Sequence, residues 1–98
     1  MREVLPARRL TETIKFEHRG IGHFASVSRY EDNRLAEVFL DAGKVGSDAQ
    51  AYARDMAVAV SLALQAGCPA KTIRDALSRN DDGSPAGPLG KLLDLMEL

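Results

Sequence analysis

The segment Gly43-Lys44-Val45-Gly46-Ser47-Asp48 holds residue types that could bind an anion. It leaves a predicted strand and enters a predicted helix. Unpaired main-chain N–H groups and the helix dipole favour negative charge at such a start, and glycine lets a ligand approach the backbone closely. Lys44 adds a point charge. Gly43, Lys44, Gly46 and Ser47 are therefore the candidate ligand-binding residues, with a small anion such as a nucleotide as ligand. The run does not satisfy GxxxxGK[ST] and is no P-loop. Asp48 would also repel a phosphate. A strand-to-helix turn capped by Ser47 or Asp48 is the simpler reading.

Three other places hold reactive types. His18 and His23 flank a glycine turn and could be neighbours across a hairpin, beside Glu17. Two imidazoles can begin a metal site, but no third ligand stands at a diagnostic spacing, so no metal is expected. Neither histidine has an evident serine or cysteine nucleophile partner. Cys68 is the single cysteine, placed between a helix end and Pro69, and reads as a packing residue. Asn80-Asp81-Asp82-Gly83 misses the D-x-[DN]-x-[DN]-G spacing of a calcium loop and reads as a turn. Arg8, Arg9, Arg19, Arg29 and Arg34 could meet phosphates, yet few aromatics interleave with them, so a solvated surface is the default. No catalytic residue and no cofactor follows from these patterns.

The elements that must position these residues fall into two halves. Residues 1–12 form an N-terminal arm without sustained period, and residues 13–98 form one domain. Thr13 to His18, His23 to Tyr30 and Leu35 to Ala42 alternate as strands. Arg19-Gly20-Ile21-Gly22 and Glu31-Asp32-Asn33-Arg34 supply the turns. From Ala49 to Ala66, Tyr52, Met56, Val60, Ala63 and Leu64 recur at helical spacing. Gly67 and Pro69 end that helix, and Pro69 opens another that runs to about Arg79, with Ile73, Ala76 and Leu77 inward. Pro88 to Glu97 forms a last, leucine-rich helix.

The predicted class is α+β: a three-stranded antiparallel meander followed by two or three helices packed on one face. Ile14, Phe16, Ala25, Val27, Val38 and Leu40 would face the helices. Phe24, Tyr30, Leu35 and Phe39 would remain on the other face as a candidate interaction surface. A small domain seldom leaves such a patch in water. This face, or the last helix, is therefore expected to be covered in a homo-oligomer.

Composition narrows the function classes. With 98 residues, 45% hydrophobic and 28% charged, the chain can bury one modest core. A net charge of −1 supplies no field for nucleic acid or an anionic membrane. The longest low-charge run, Met56 to Pro69, is too short to span a bilayer. One cysteine fits a reducing, cytoplasmic setting.

Several runs together resemble a known family. They are Tyr30-Glu31-Asp32-Asn33, Glu37-Val38-Phe39, Lys44-Val45-Gly46-Ser47, and Ser61-Leu62-Ala63-Leu64-Gln65-Ala66-Gly67-Cys68-Pro69. In this order they resemble the TSCPD domain. That family occurs as the C-terminal part of adenosylcobalamin-dependent ribonucleotide reductases and as small stand-alone bacterial or phage proteins. The resemblance covers about two thirds of the chain. It implies a relation to nucleotide metabolism, with a ribonucleotide reductase or another protein of that metabolism as partner. The chain departs from the family in lacking the cysteine-containing motif that names it, and it holds no reductase barrel, radical-site cysteine or cobalamin-binding segment. The resemblance therefore implies an accessory module that acts by binding a protein, without reductase chemistry of its own.

Overall fold

Two tight turns fold the first half of the chain into a meander. The computed structural model describes residues 11–96 and 98; the first ten residues of the expected arm lie outside the described residues. Strands β1 (Thr11–His18), β2 (Ile21–Arg29) and β3 (Leu35–Ala42) pair antiparallel in the order β1-β2-β3. β1 begins two residues before the expected Thr13, and β2 two residues before the expected His23. The reason for the second shift is the turn itself. Arg19 and Gly20 both have positive φ, 53° and 77°, which closes a two-residue hairpin. Ile21 and Gly22 are thereby free to pair with His18 and Glu17.

The β2–β3 connection carries an irregularity that decides which side chains are buried. Ser28 pairs with Glu37, but Arg29 pairs with Leu35, so Ala36 is an extra residue in β3. Such a bulge breaks the alternation of faces. Leu35 turns into the core instead of lying opposite Ala36, and both are buried. Tyr30 is also buried: β2 has ended, its main chain is held in the turn by Arg34 O, and the Arg34 guanidinium lies 4.8 Å above its ring. Tyr30 and Leu35 therefore do not belong to the open face on which alternation placed them.

Three helices follow: α1 (Asp48–Gln65), α2 (Ala70–Ala76) and α3 (Pro88–Leu95). The buried stripe of α1 is Ala53, Ala57, Val60, Ser61, Leu64 and Gln65. The expected period is present but rotated, so Tyr52 points to solvent at 66% exposure. Small residues at Ala53, Ala57 and Ser61 let the helix lie close along β3. There it meets an unpaired strand edge. Ser61 Oγ donates to Val38 O and accepts from Val38 N, both at 2.9 Å, and Gln65 Nε2 donates to Ala36 O at 3.1 Å. The helix thus covers the edge of β3 with hydrogen bonds as well as with apolar surface.

α1 ends in a Schellman arrangement, with Gly67 at φ 100°, Gly67 N on Leu64 O and Cys68 N on Ala63 O. α2 is a short two-turn piece that stops three residues before the expected Arg79, and Ala76 is exposed. Residues 78–86 then fold back through Ala86 N on Ser78 O and Asn80 N on Ser84 O. α3 places Leu89, Leu92, Leu93 and Met96 in the same core as Val27, Val38 and Leu40, beside α1, α2 and β1. Its leucines, expected as a possible oligomer contact, are consumed inside the domain; among them only Leu95 stays open.

The fold-back is pinned to α3 by Arg79, which grips Asp94 through two bonds of 2.7 and 2.8 Å. This guanidinium holds the Asp94 carboxyl below the usual carboxylate range, and Arg54 does the same for Asp41. A lowered folded pKa means that the unfolded chain takes up protons first as pH falls. Their contribution is present above the ordinary carboxylate pKa of about 4 and is lost as pH drops through the folded values. Asp94→Asn is expected to flatten the decline of the urea midpoint between about pH 5 and pH 3. An unchanged slope would show that the pair does not persist in solution.

Candidate functional site

The Gly43–Ser47 turn is formed where β3 must leave the sheet and start α1. Gly43 and Gly46 adopt positive φ, 64° and 80°. Ser47 is the N-cap: its Oγ accepts from Gln50 N at 3.2 Å, and Gln50 Oε1 reaches back to accept from Gly46 N at 2.8 Å. This reciprocal pairing is a capping box displaced by one residue. Ser47 N also donates to Lys44 O. Donors that an anion would need at Gly46, Ser47 and Gln50 are thus engaged within the chain. Lys44 is exposed on the outer side of the turn. The geometry is that of a well-capped helix start, and Asp48 in the first turn complements the dipole in place of a ligand.

The open face of the sheet is the second feature. Phe24 pairs in register with Asp41, and Phe39 with Ser26, so the two rings are diagonal neighbours on one face. They are 39% and 44% exposed. β3 and α1 continue this surface into a groove that Phe39, Val58 and Leu62 line, and the last two are exposed apolar side chains. Arg54 and Asp41, paired at 3.2 Å, and Glu37 edge the apolar strip. Val58 and Leu62 were missed in the sequence because a four-residue helical spacing reads equally well as core. Only the rotation of α1 toward Ala53 and Ala57 reveals that they face out.

The histidines do meet. Their ring centroids are 6.2 Å apart, edge to face, and His23 stacks on Phe16 at 5.2 Å. Each donates a ring N–H to a main-chain carbonyl: His18 Nε2 to Ala86 O at 3.1 Å, His23 Nδ1 to Ile21 O at 2.9 Å. Both therefore tie structure together, His18 across the sheet to the fold-back and His23 within its own hairpin. Among the described residues no group of three or more His, Cys, Asp or Glu side chains is placed to hold a metal ion. Asp82, in the calcium-like run, accepts from Ser84 N and Ser84 Oγ and closes a turn.

Cys68 lies half-buried at the α1–α2 junction, and its Sγ approaches Pro69 O at 3.9 Å. Cys68 also lines an open cavity of about 280 Å³ between the β2–β3 turn and the two helices. Arg29, Arg34 and Lys71 line it together with Leu35, Leu64 and Leu98. These residues are dispersed over seventy positions, and only the bulge that turns Leu35 inward brings them together. No helix among the described residues is long and apolar enough to cross a membrane.

Comparison with known proteins adds context. The TSCPD domain family matches residues 3–96 of the chain. A vitamin B12-dependent ribonucleotide reductase of Bradyrhizobium diazoefficiens is 36% identical over 88 residues, which is 90% of this chain and 7% of that protein. A second, from Agrobacterium fabrum, is 34% identical over 77 residues, covering 79% of this chain and 6% of the relative. The chain thus spans less than a tenth of the length of either relative. No solved structure gives a significant match.

Proposed function

From the premise that the chain belongs to the TSCPD domain family, we propose that it is a non-catalytic accessory module of ribonucleotide reduction that acts by binding protein. The observation that carries this reading is the continuous apolar strip of Phe24, Phe39, Val58 and Leu62 on the open face. Large side chains left in water on one side of so small a domain mark an interaction surface. In the curated relatives the matching segment is part of a reductase polypeptide. The chemistry available agrees with a binding role, since His18 and His23 each donate to a main-chain carbonyl. In the absence of a reductase the strip is covered by a second copy. The setting is cytoplasmic.

A vitamin B12-dependent ribonucleotide reductase with its own TSCPD segment deleted is the test partner. The purified chain is expected to co-elute with this truncated enzyme. Phe39→Asp and Leu62→Asp should each weaken the complex by about 30-fold or more, the size of a lost hot spot, while the melting temperature changes little. Failure to co-elute at micromolar concentrations of both proteins would sink the reductase as partner. Self-association has its own readout. Light scattering of the chain alone should return a multiple of 10.6 kDa, and the mass of one chain would overturn it.

A further inference from the structure

The cavity at the α1–α2 junction combines an apolar lining with three cationic side chains. Leu35, Leu64 and Leu98 are among the apolar walls, and the three cationic residues come from three elements. Arg29 lies at the end of β2, Arg34 in the following turn and Lys71 in the first turn of α2. No aspartate or glutamate side chain is among the described residues that line it. Arg34 is partly neutralised by Asp32 at 2.7 Å and stacked on Tyr30. Arg29 uses one N–H on Asn33 O at 2.9 Å, which fixes its guanidinium without neutralising it. Lys71, from α2, adds a further positive charge to the lining.

We infer that this cavity binds a phosphate monoester with a compact apolar or aromatic body. Two cations lining one cavity suit one dianionic head: the arginine offers a fork and the lysine a mobile point charge. The apolar walls take the body, as in ligand pockets generally, where a few polar groups orient a mostly hydrophobic contact. At about 280 Å³ the space lies just below the range of such pockets, roughly 300–1,000 Å³, and suits one ring system. The site is remote from the Gly43–Ser47 turn, at the other end of α1, and it does not depend on the protein-binding reading.

The chain carries its own reporter. Cys68 borders the cavity and is the single cysteine, so its alkylation by uncharged iodoacetamide reads occupancy directly. Phenyl phosphate or adenosine 5′-monophosphate should slow the reaction saturably, about tenfold at ten times the dissociation constant. Whichever of the two acts at lower concentration identifies the body as a plain aryl group or a nucleoside. Arg29→Ala and Lys71→Ala should each remove the protection, and Lys44→Ala should leave it intact. Cys68→Ser should still gain melting temperature with the same ligand. The inference fails if neither organophosphate slows alkylation up to roughly 10 mM, a range that includes millimolar affinity. It also fails if both cation variants are protected like the parent, or if inorganic phosphate protects as well as the organic esters.

Discussion

Ser61→Ala is expected to destabilise the domain by about 2–4 kcal/mol and to lower its melting temperature by about 10–25 °C. The substitution removes one hydroxyl from the middle of α1, where alanine is the better helix former by about 0.5 kcal/mol or less. On an exposed helix the change would stabilise. Here the hydroxyl bonds both the N–H and the C=O of Val38 at 2.9 Å in a buried contact. Alanine leaves two buried main-chain groups without a partner, at about 1–3 kcal/mol each. That cost exceeds the propensity gain several-fold, so the sign itself is the test. Ser61→Thr keeps the hydroxyl and should recover most of the loss if the added methyl is accommodated beside Val38. Thermal unfolding followed by circular dichroism would settle it. A neutral or stabilising Ser61→Ala would show that α1 does not hydrogen-bond the edge of β3 in solution.

The same contact explains what the sequence conveyed and what it concealed. Strand alternation around Ala25, Val27, Val38 and Leu40 reports a face correctly, because every second residue is apolar and the partner strands share that period. Gly20 and Gly67 mark their turns, since each requires a positive φ. The meander, the order of helices and the family were therefore legible. The rotation of α1 was not. Its sequence offers Tyr52 as a good core candidate, and nothing local says that a serine and a glutamine will be buried instead. They are buried because β3 ends the sheet and leaves main-chain groups that only polar side chains can satisfy. A tertiary need thus overrides hydrophobicity.

The surfaces available for function follow from that rotation and from the Ala36 bulge. The bulge withdraws Leu35 from the open face and makes it a wall of the cavity that Arg29 and Lys71 also line. The rotation withdraws Ala53 and Ala57 from view and presents Val58 and Leu62 beside Phe39. Of the four side chains placed on the open face from alternation alone, Phe24 and Phe39 remain there, and the helix supplies the rest of the strip. Arginines that read singly as solvated surface acquire a shared environment only through the turn at Asn33, whose φ of 76° folds Arg34 back over Tyr30. A binding surface assembled from a bulge and a helix rotation leaves no period in the sequence by which to find it.

Leu93→Ala should be the most damaging single truncation, at about 3–5 kcal/mol. Leu93 is fully buried, and so is its neighbour Leu92. Adjacent helical residues diverge by about 100°, so both can be enclosed only if α3 is wedged between structures on two sides. β1 of the sheet on one side and the helices α1 and α2 on the other are those structures. A helix of eight residues is not stable alone, and α3 persists through this packing. The loss is a large fraction of the about 5–15 kcal/mol that stabilises a typical domain, so the variant should be partly unfolded near 37 °C. Leu95→Ala, on the exposed side of α3, should cost far less and serves as control. If Leu93→Ala instead melts within a few degrees of the parent, α3 is undocked in solution. Its leucines would then be free for a partner, and the apolar strip of Phe39 and Leu62 would lose its claim to be the principal contact.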